Sequence, residues 1–376
     1  MEFGDAGSGA MSGCQQAPVF AVTTGRSGST LLSNMLNQHH DVLSVSELMS
    51  WLHPGAFPAG ELTGEDFVHL LSRQRLPAAL LLRHHLDPPG EFLYPLDGGG
   101  RFDRRSVPAI CVITLPHITS QPDDLYDEVV GFVRSRPPAP VARHYRALFD
   151  WLRQRMGRQV VVERSGMSMM WLHDLLVTFP DARFVHMYRD GRDCAVSMRR
   201  HNSFRMVAAL KTLESASGVD LLDAGAIPAP PPSLPEDLAS LWPDRLNPEA
   251  FARFPLSVET CANTWSKSTL AGLRLLRQVP PERLHTLAYE ELVADPRRTL
   301  TDLARFLGVG ADPEWLERSA ALAVPRPPAH LALAPGERTQ VESACRMAMK
   351  KLYGPHWQDQ WERPPVEVGV GDGRGR

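Results

Sequence analysis

The stretch PVFAVTTGRSGSTLLSNMLNQHH, residues 18–40, decides the fold. Its first seven residues form a short, β-branched apolar run and read as a buried strand. Leu31, Leu32, Met35 and Leu36 then recur at i, i+1, i+4 and i+5, which predicts a helix. Between the two stands Gly25-Arg26-Ser27-Gly28-Ser29-Thr30. In a strand–loop–helix of this kind the glycines permit a tight turn and successive backbone N–H groups converge on an anion. The helix N-terminus adds positive potential, and the Ser29 and Thr30 hydroxyls can donate to phosphate oxygens. Arg26 stands inside the loop, placed to reach a bridging oxygen. This is not the G-x-x-x-x-G-K-[ST] loop of nucleoside triphosphatases, because the spacing is short and no Lys precedes Ser29.

Outward from the loop, VLSV (42–45) reads as a second strand. Further on, QVVVE (159–163) is a strand, MSMMWLHDLLVTF (167–179) a helix, RFVHMYR (183–189) a strand and GRDCAVSMRRH (191–201) a helix. Strands and helices alternating at this spacing imply βαβ units and a parallel sheet that binds ligands at the carboxyl ends of its strands. The expected fold is therefore α/β, a P-loop-like three-layer α/β/α arrangement around a central parallel sheet. RLHTLAY (283–289) adds a strand, and VPAICVI (107–113) reads as an extended piece. Helical periodicity runs through 61–86, 123–133, 141–156, 260–277, 296–307 and 339–352, with turns at DPPG (87–90) and DGGG (97–100). The stretch 218–255, with its run AIPAPPPSLPEDLASLWPDRLNP, is proline-rich and reads as an irregular insertion or lid. We expect one domain over 18–360 between tails at 1–17 and 361–376, with 51–145 and 202–255 as helical insertions covering an acceptor pocket.

Composition narrows the function. The 376 residues include 43% hydrophobic positions, enough for a sizeable core, and a prior of roughly 150 residues per domain allows one large α/β unit. Lys and Arg (40) nearly balance Asp and Glu (43), so neither nucleic acid nor an anionic membrane is the expected partner. No apolar run approaches the ~20 residues that span a bilayer. The opening MEFGDAGSGAMSGCQQAP lacks a signal peptide's basic start and apolar core. The five cysteines are scattered without a C-x-x-C pair, which fits reduced thiols in a cytoplasmic protein and no zinc site. The adjacent pairs His39-His40 and His84-His85 point apart, as surface or pocket-wall residues do, so no metal is expected.

A second phosphate element follows the strand at 183–189. Arg189 ends that strand and Ser197 lies eight positions on, in the next helix. A guanidinium fork and a hydroxyl brought together by such a bend suit a second phosphate. Taken together, TGRSGSTLL and FVHMYRDGRDCAVSM resemble the two cofactor motifs of sulfotransferases that use 3′-phosphoadenosine-5′-phosphosulfate (PAPS). The Arg-containing loop is more similar to the carbohydrate, protein-tyrosine and bacterial branches than to the Lys-containing phenol and steroid branch. VVVERSG (160–166) and LHTLAYEELVADPRRTLTDLARFLGV (284–309) extend the resemblance in the expected order.

The resemblance implies residue roles. Arg26 takes the position of the loop's catalytic cation, Arg164 that of the basic residue after the mid-chain strand, and Tyr289 that of a tyrosine contacting the nucleotide. Gly25, Ser27, Gly28, Ser29 and Thr30 would hold the 5′-phosphosulfate, and Arg189 and Ser197 the 3′-phosphate. Glu47, twenty-one positions after Arg26, matches the catalytic carboxylate of the tyrosyl-protein branch. The histidine-using branch has a K-T-H motif that is absent here, which leaves His117 in TLPHITS as the rival base. Glu163 is a third carboxylate, more readily an ion-pair partner positioning Arg26 or Arg164. In-line transfer needs cations on the leaving oxygens and a base for the acceptor proton, and by this account no metal.

The acceptor is expected to be a hydroxyl of a small molecule, lipid or glycoside, since weakly acidic net charge disfavours polyanions. Trp51, Phe57, Phe92, Tyr94, Phe204, Trp242, Phe251 and Phe254 are available to wall its pocket. The competing readings are a kinase-like P-loop enzyme, which should show a Walker Lys and a Mg²⁺-binding carboxylate, and a nucleotide-binding protein without catalysis.

Overall fold

The computed structural model describes residues 16–88, 90–222, 228–355 and Trp357. Strands in chain order are β1 (Val19–Val22), β2 (Val42–Ser46), the two-residue β3 (Glu61–Leu62) and β4 (Ala139–Pro140), β5 (Val160–Ser165), β6 (Arg183–Tyr188) and β7 (Leu284–Ala288). Five of them form one sheet in the order β2-β5-β1-β6-β7, every pair parallel, while β3 and β4 pair antiparallel apart from it.

Parallel strands need long crossovers, and helices supply them. α1 (Ser29–Asn37) joins β1 to β2. Between β2 and β5 the chain makes α2 (Leu48–Leu52), α3 (Gly64–Ser72), α4 (Leu76–Arg83), α5 (Ala109–Val112), α6 (Thr114–Ile118), α7 (Pro122–Arg134) and α8 (Val141–Arg155). α9 (Leu172–Thr178) leads to β6. Then follow α10 (Gly191–Arg199), α11 (Asn202–Ser217), α12 (Glu236–Ala239), α13 (Pro248–Arg253) and α14 (Val258–Leu276). After β7 come α15 (Tyr289–Ala294), α16 (Pro296–Leu307), α17 (Pro313–Ala320) and α18 (Pro335–Tyr353).

Alternation along the strands builds three layers. Phe20, Val22, Leu43, Val45, Val161 and Phe184 pack with Tyr145, Leu148 and Phe149 of α8 and Leu172 and Leu175 of α9. Their neighbours Val19, Ala21, Val160, Val162, Val185 and Met187 turn to the opposite face, against Leu32, Met35 and Leu36 of α1 and Leu300, Leu303 and Leu307 of α16. Both faces of every central strand are covered, which is why QVVVE and PVFAV read as continuous apolar runs. The expected three-layer α/β fold is what forms.

Several local expectations change. Residues 107–113 are not extended: Pro108 precedes α5, and Ala109–Val112 close a helical turn whose side chains are fully buried. Burial overrides the β preference of a short β-branched run. The periodicity through 61–86 is two helices, broken at 73–75 ahead of Pro77 in the first turn of α4. The 167–179 helix begins as a short 3₁₀ turn, Ser168–Met170, entered from Met167 in the left-handed region (φ 66°). The proline-rich stretch is more regular than expected. Pro235 caps α12 and Pro248 opens α13, positions where a missing N–H costs nothing. Trp242, Leu246 and Phe251 there are buried against Leu80, Leu81, Met206 and Leu210. Trp242 Nε1 donates to the Pro228 carbonyl at 2.9 Å. The proposed tails lie almost wholly outside the described residues.

Candidate functional site

Register aligns the carboxyl ends of the strands. Val22 pairs with Ser165 and with His186, Ser46 with Arg164, and Tyr188 with Ala288. The residues that follow, 23–28, Glu47, Gly166, Arg189 and Tyr289, therefore emerge along one edge of the sheet.

At the centre, the 23–28 loop has Gly25 (φ 79°), Arg26 (φ 55°) and Gly28 (φ 85°) in the left-handed region. A Cβ on Gly25 would stand 2.7 Å from Met167 Sδ, and one on Gly28 would run into the Tyr289 ring. Glycine is thus required twice over at each position, by φ and by close approach. Gly28 is the N-cap of α1 and offers no side-chain cap, so the helix's leading amides and positive end are left for a ligand. Ser27 Oγ is buried without a partner. Ser29 is buried beside it, whereas Thr30 is exposed.

The second motif meets the first in one hydrogen bond: Arg26 Nε donates to Ser197 Oγ at 3.0 Å. Arg189 lies over the Tyr289 ring, 4.4 Å from its centroid, and its buried Nε has no partner. Its Nη2 reaches Asp193 Oδ2 at 3.4 Å. Asp193 Oδ1 in turn accepts from His330 N and pairs with Nδ1 at 3.1 and 2.8 Å. Burial alone would raise the Asp193 pKa, but the His330 hydrogen bonds and the Arg189 charge hold it below the ordinary carboxylate value. Asp190 instead pairs with Arg192.

Glu47 and Arg164 form a third group. Glu47 sits at φ 60° directly after β2. Its carboxylate accepts from Arg164 Nη1, from Ser50 Oγ and from Gly166 N at 3.0 Å. Arg164 is 3% exposed, also reaches Ser46 Oγ at 2.5 Å, and keeps a buried Nε unpartnered. The Glu47 side chain does not cap α2. Glu163 does so, through Met49 N at 3.3 Å, together with Ser165 Oγ, which accepts from Ser50 N at 3.0 Å. Glu163 is thus no ion-pair partner of Arg26 or Arg164: its Oε1 takes Ser165 Oγ at 2.6 Å. Burial pushes its pKa up to about 7.

His117 lies inside α6. Its Nε2 lies 3.3 Å from both Ser33 Oγ and Ser44 Oγ, between α1 and the middle of β2. Burial, with the Arg164 charge, pushes its pKa down to about 4. Among the described residues no hydrogen bond joins it to Arg26 or Glu47.

Glu91 and His330 had no sequence signal. Glu91 Oε1 accepts from Arg26 Nη1 at 2.7 Å, and Glu91 Oε2 lies 2.7 Å from His201 Nε2. Asp193 and His330 back Arg189. The partners are 65, 110 and 137 positions apart, beyond any spacing rule. Of the aromatics named for an acceptor pocket, Trp242 and Phe251 are core. Trp51 and Phe92 meet edge-on at 5.1 Å beside the Glu47 helix.

Ser27, Arg164 and Arg189 keep buried polar atoms unpartnered near the glycine cradle, which suits an anionic ligand. Carboxylates capable of holding a metal at the loop are engaged by arginines. The described cluster that could hold one, His39–His40–Asp41, is elsewhere, and His39 already uses Nδ1 for Asp41 N and Nε2 for the Gly310 carbonyl. No helix among the described residues is long and apolar enough to cross a membrane.

Residues 147–324, from α8 through α17, match the family model described as a sulfotransferase domain. The resemblance read from the motifs is borne out there. No curated protein matches the chain. Among solved structures, the sulfotransferase domain from the curacin biosynthetic pathway has a TM-score of 0.43 at 17% identity, over 87% of this chain and 96% of that one. The sulfotransferase domain of the Synechococcus PCC 7002 olefin synthase gives 0.41 at 20%, over 89% and 94%. A sulfotransferase from Alicyclobacillus acidocaldarius gives 0.40 at 15%, over 93% and 97%.

Proposed function

We propose that this chain, with its sulfotransferase domain match over 147–324, moves the sulfuryl group of PAPS to a hydroxyl of a small molecule, lipid or glycoside. The observation that carries the reading is the Arg26–Ser197 hydrogen bond. The two motifs, 171 positions apart at these residues, bring a guanidinium and a hydroxyl into contact beside the strand that Arg189 follows. In this reading Gly25–Thr30 cradle the 5′-phosphosulfate, and Arg189 and Ser197 take the 3′-phosphate. Tyr289, already beneath Arg189 and against Gly28, orders the nucleotide between them.

The acceptor oxygen attacks sulfur as the bond from sulfur to the bridging oxygen breaks, and the leaving 5′-phosphate keeps the electron pair. Arg26 and Arg164 stabilise the growing charge. Glu47, fixed by Arg164, Ser50 and Gly166, takes the acceptor proton. The lodging of His117 between Ser33 and Ser44 favours Glu47 over it. We take residues 18–360 as one catalytic domain, and a cytoplasmic location remains the reading of its reduced cysteines.

A kinase-like site would answer to a different ligand, so a thermal-shift panel tests the proposal. 3′-Phosphoadenosine-5′-phosphate (PAP) should raise the melting temperature well above any effect of ATP–Mg²⁺ at equal concentration. A larger shift with ATP–Mg²⁺ would overturn it.

A further inference from the structure

Arg26, the residue the donor needs, is already held. Its Nη1 donates to Glu91 Oε1 at 2.7 Å while its Nε serves Ser197. Glu91 belongs to neither motif. It lies on the connection between α4 and α5, where Glu91 N closes a turn on the Pro88 carbonyl at 3.2 Å and Gly90 takes a left-handed φ of 72°.

The carboxylate is gripped on both oxygens. His201 Nδ1 accepts from Ser203 N at 3.2 Å, which places the ring proton on Nε2, facing Glu91 Oε2 at 2.7 Å. On either side the backbone is anchored: Phe92 packs on Trp51, and Leu93 N and Tyr94 N donate to the Val112 carbonyl. Burial works against the Glu91 charge, yet the His201 hydrogen bond and the Arg26 guanidinium hold its pKa down at about 2. The pair is also reachable, with side chains 30% and 35% exposed, so it is not a core ion pair.

A carboxylate on a guanidinium satisfies the same N–H groups that a phosphate or sulfate oxygen would take. The Arg26 fork cannot serve Glu91 and an incoming anion through one nitrogen without crowding two negative groups, a repulsion that weakens whichever is held less firmly. We propose that Glu91 is a positioning residue of the donor site: held by His201, it keeps Arg26 aimed at Ser197 in the free protein and is displaced when the donor's anionic end binds. The inference rests on the proposed donor reading and deepens it, because it assigns the donor site a built-in competitor from the acceptor-side insertion.

The experiment is calorimetric titration of PAP into the full chain and its variants. Glu91→Gln should bind PAP about 5- to 30-fold more tightly, since a partly exposed charged hydrogen bond no longer has to be exchanged. His201→Ala should tighten binding in the same direction by a smaller factor. Asp97→Asn removes an exposed carboxylate of the same connection that pairs with Arg104, and should leave affinity unchanged. A purely structural Glu91 cannot raise affinity when it is neutralised. Unchanged or weaker binding by Glu91→Gln, with wild type binding PAP normally, overturns this inference alone. Equal tightening by Asp97→Asn overturns it too, by reducing the effect to bulk charge. If wild type does not bind PAP, the donor reading and the inference fall together.

Discussion

Arg26 and Glu47 share a backbone state that neither should favour. Both are non-glycine residues at positive φ, a conformation that costs about 1 kcal/mol or more, and each follows a strand whose ladder fixes where it emerges. Such strain persists only where surroundings over-determine it. For Glu47 those surroundings are Arg164, Ser50 and Gly166. If Glu47 is the base, Glu47→Gln keeps the shape but cannot take a proton. It should bind PAP with near-wild-type affinity and lose about 10²–10⁴ in turnover. A His117→Ala variant, assayed beside it, should remain active. The reverse pattern would return the role to His117. At this scale the sequence was legible where local conformation rests on near neighbours, as in the left-handed glycines of the 23–28 loop. Glu91 and His330 escaped notice because contact order, not spacing, brings them to Arg26 and Asp193.

Among the elements, α2 shows how a short helix is held in place. Its five residues lack a side-chain cap of their own, and neighbouring β5 supplies the acceptors from Glu163 and Ser165. Glu163, 2% exposed, has its pKa raised to about 7 from an ordinary 4.5. Between those values the folded protein binds a proton that the unfolded chain releases, so stability falls as pH rises through the window. Glu290, half-buried between Asp190 N and Tyr353, has its pKa raised by desolvation to about 7 and adds to this contribution. Burial holds the pKa values of His117 and His186 down at about 4 and tilts stability the other way. The test is therefore a difference: in denaturant unfolding from pH 4.5 to 7.5 the stability of wild type relative to Glu163→Gln should fall as pH rises. An unaltered slope in that variant would contradict the burial argument. Elements were read well where periodicity was long, as in α8, α14 and α16. VPAICVI misled because four residues carry too little pattern to outweigh where tertiary packing puts them. The prolines of 218–255 misled because proline breaks helices inside but starts them at the first turn.

For the whole molecule, the strand order β2-β5-β1-β6-β7 puts β1 at the centre and brings loops from both halves of the chain to one edge. The alternation of strand and helix made that arrangement readable from sequence. The placement of the helices within 51–145 and 202–255 was not readable, because contacts distant in sequence set it among the described residues. The central claim is that the two motifs form one site for a nucleotide phosphorylated at both ends, with Arg189 on the 3′-phosphate. Calorimetric titration of PAP into wild type and Arg189→Ala tests it most directly. The account predicts that the variant binds PAP more weakly by about 1.5–3 kcal/mol, the worth of a hydrogen bond to a charged group, with its melting temperature in the absence of ligand little changed. Equal affinity in the two proteins would contradict it.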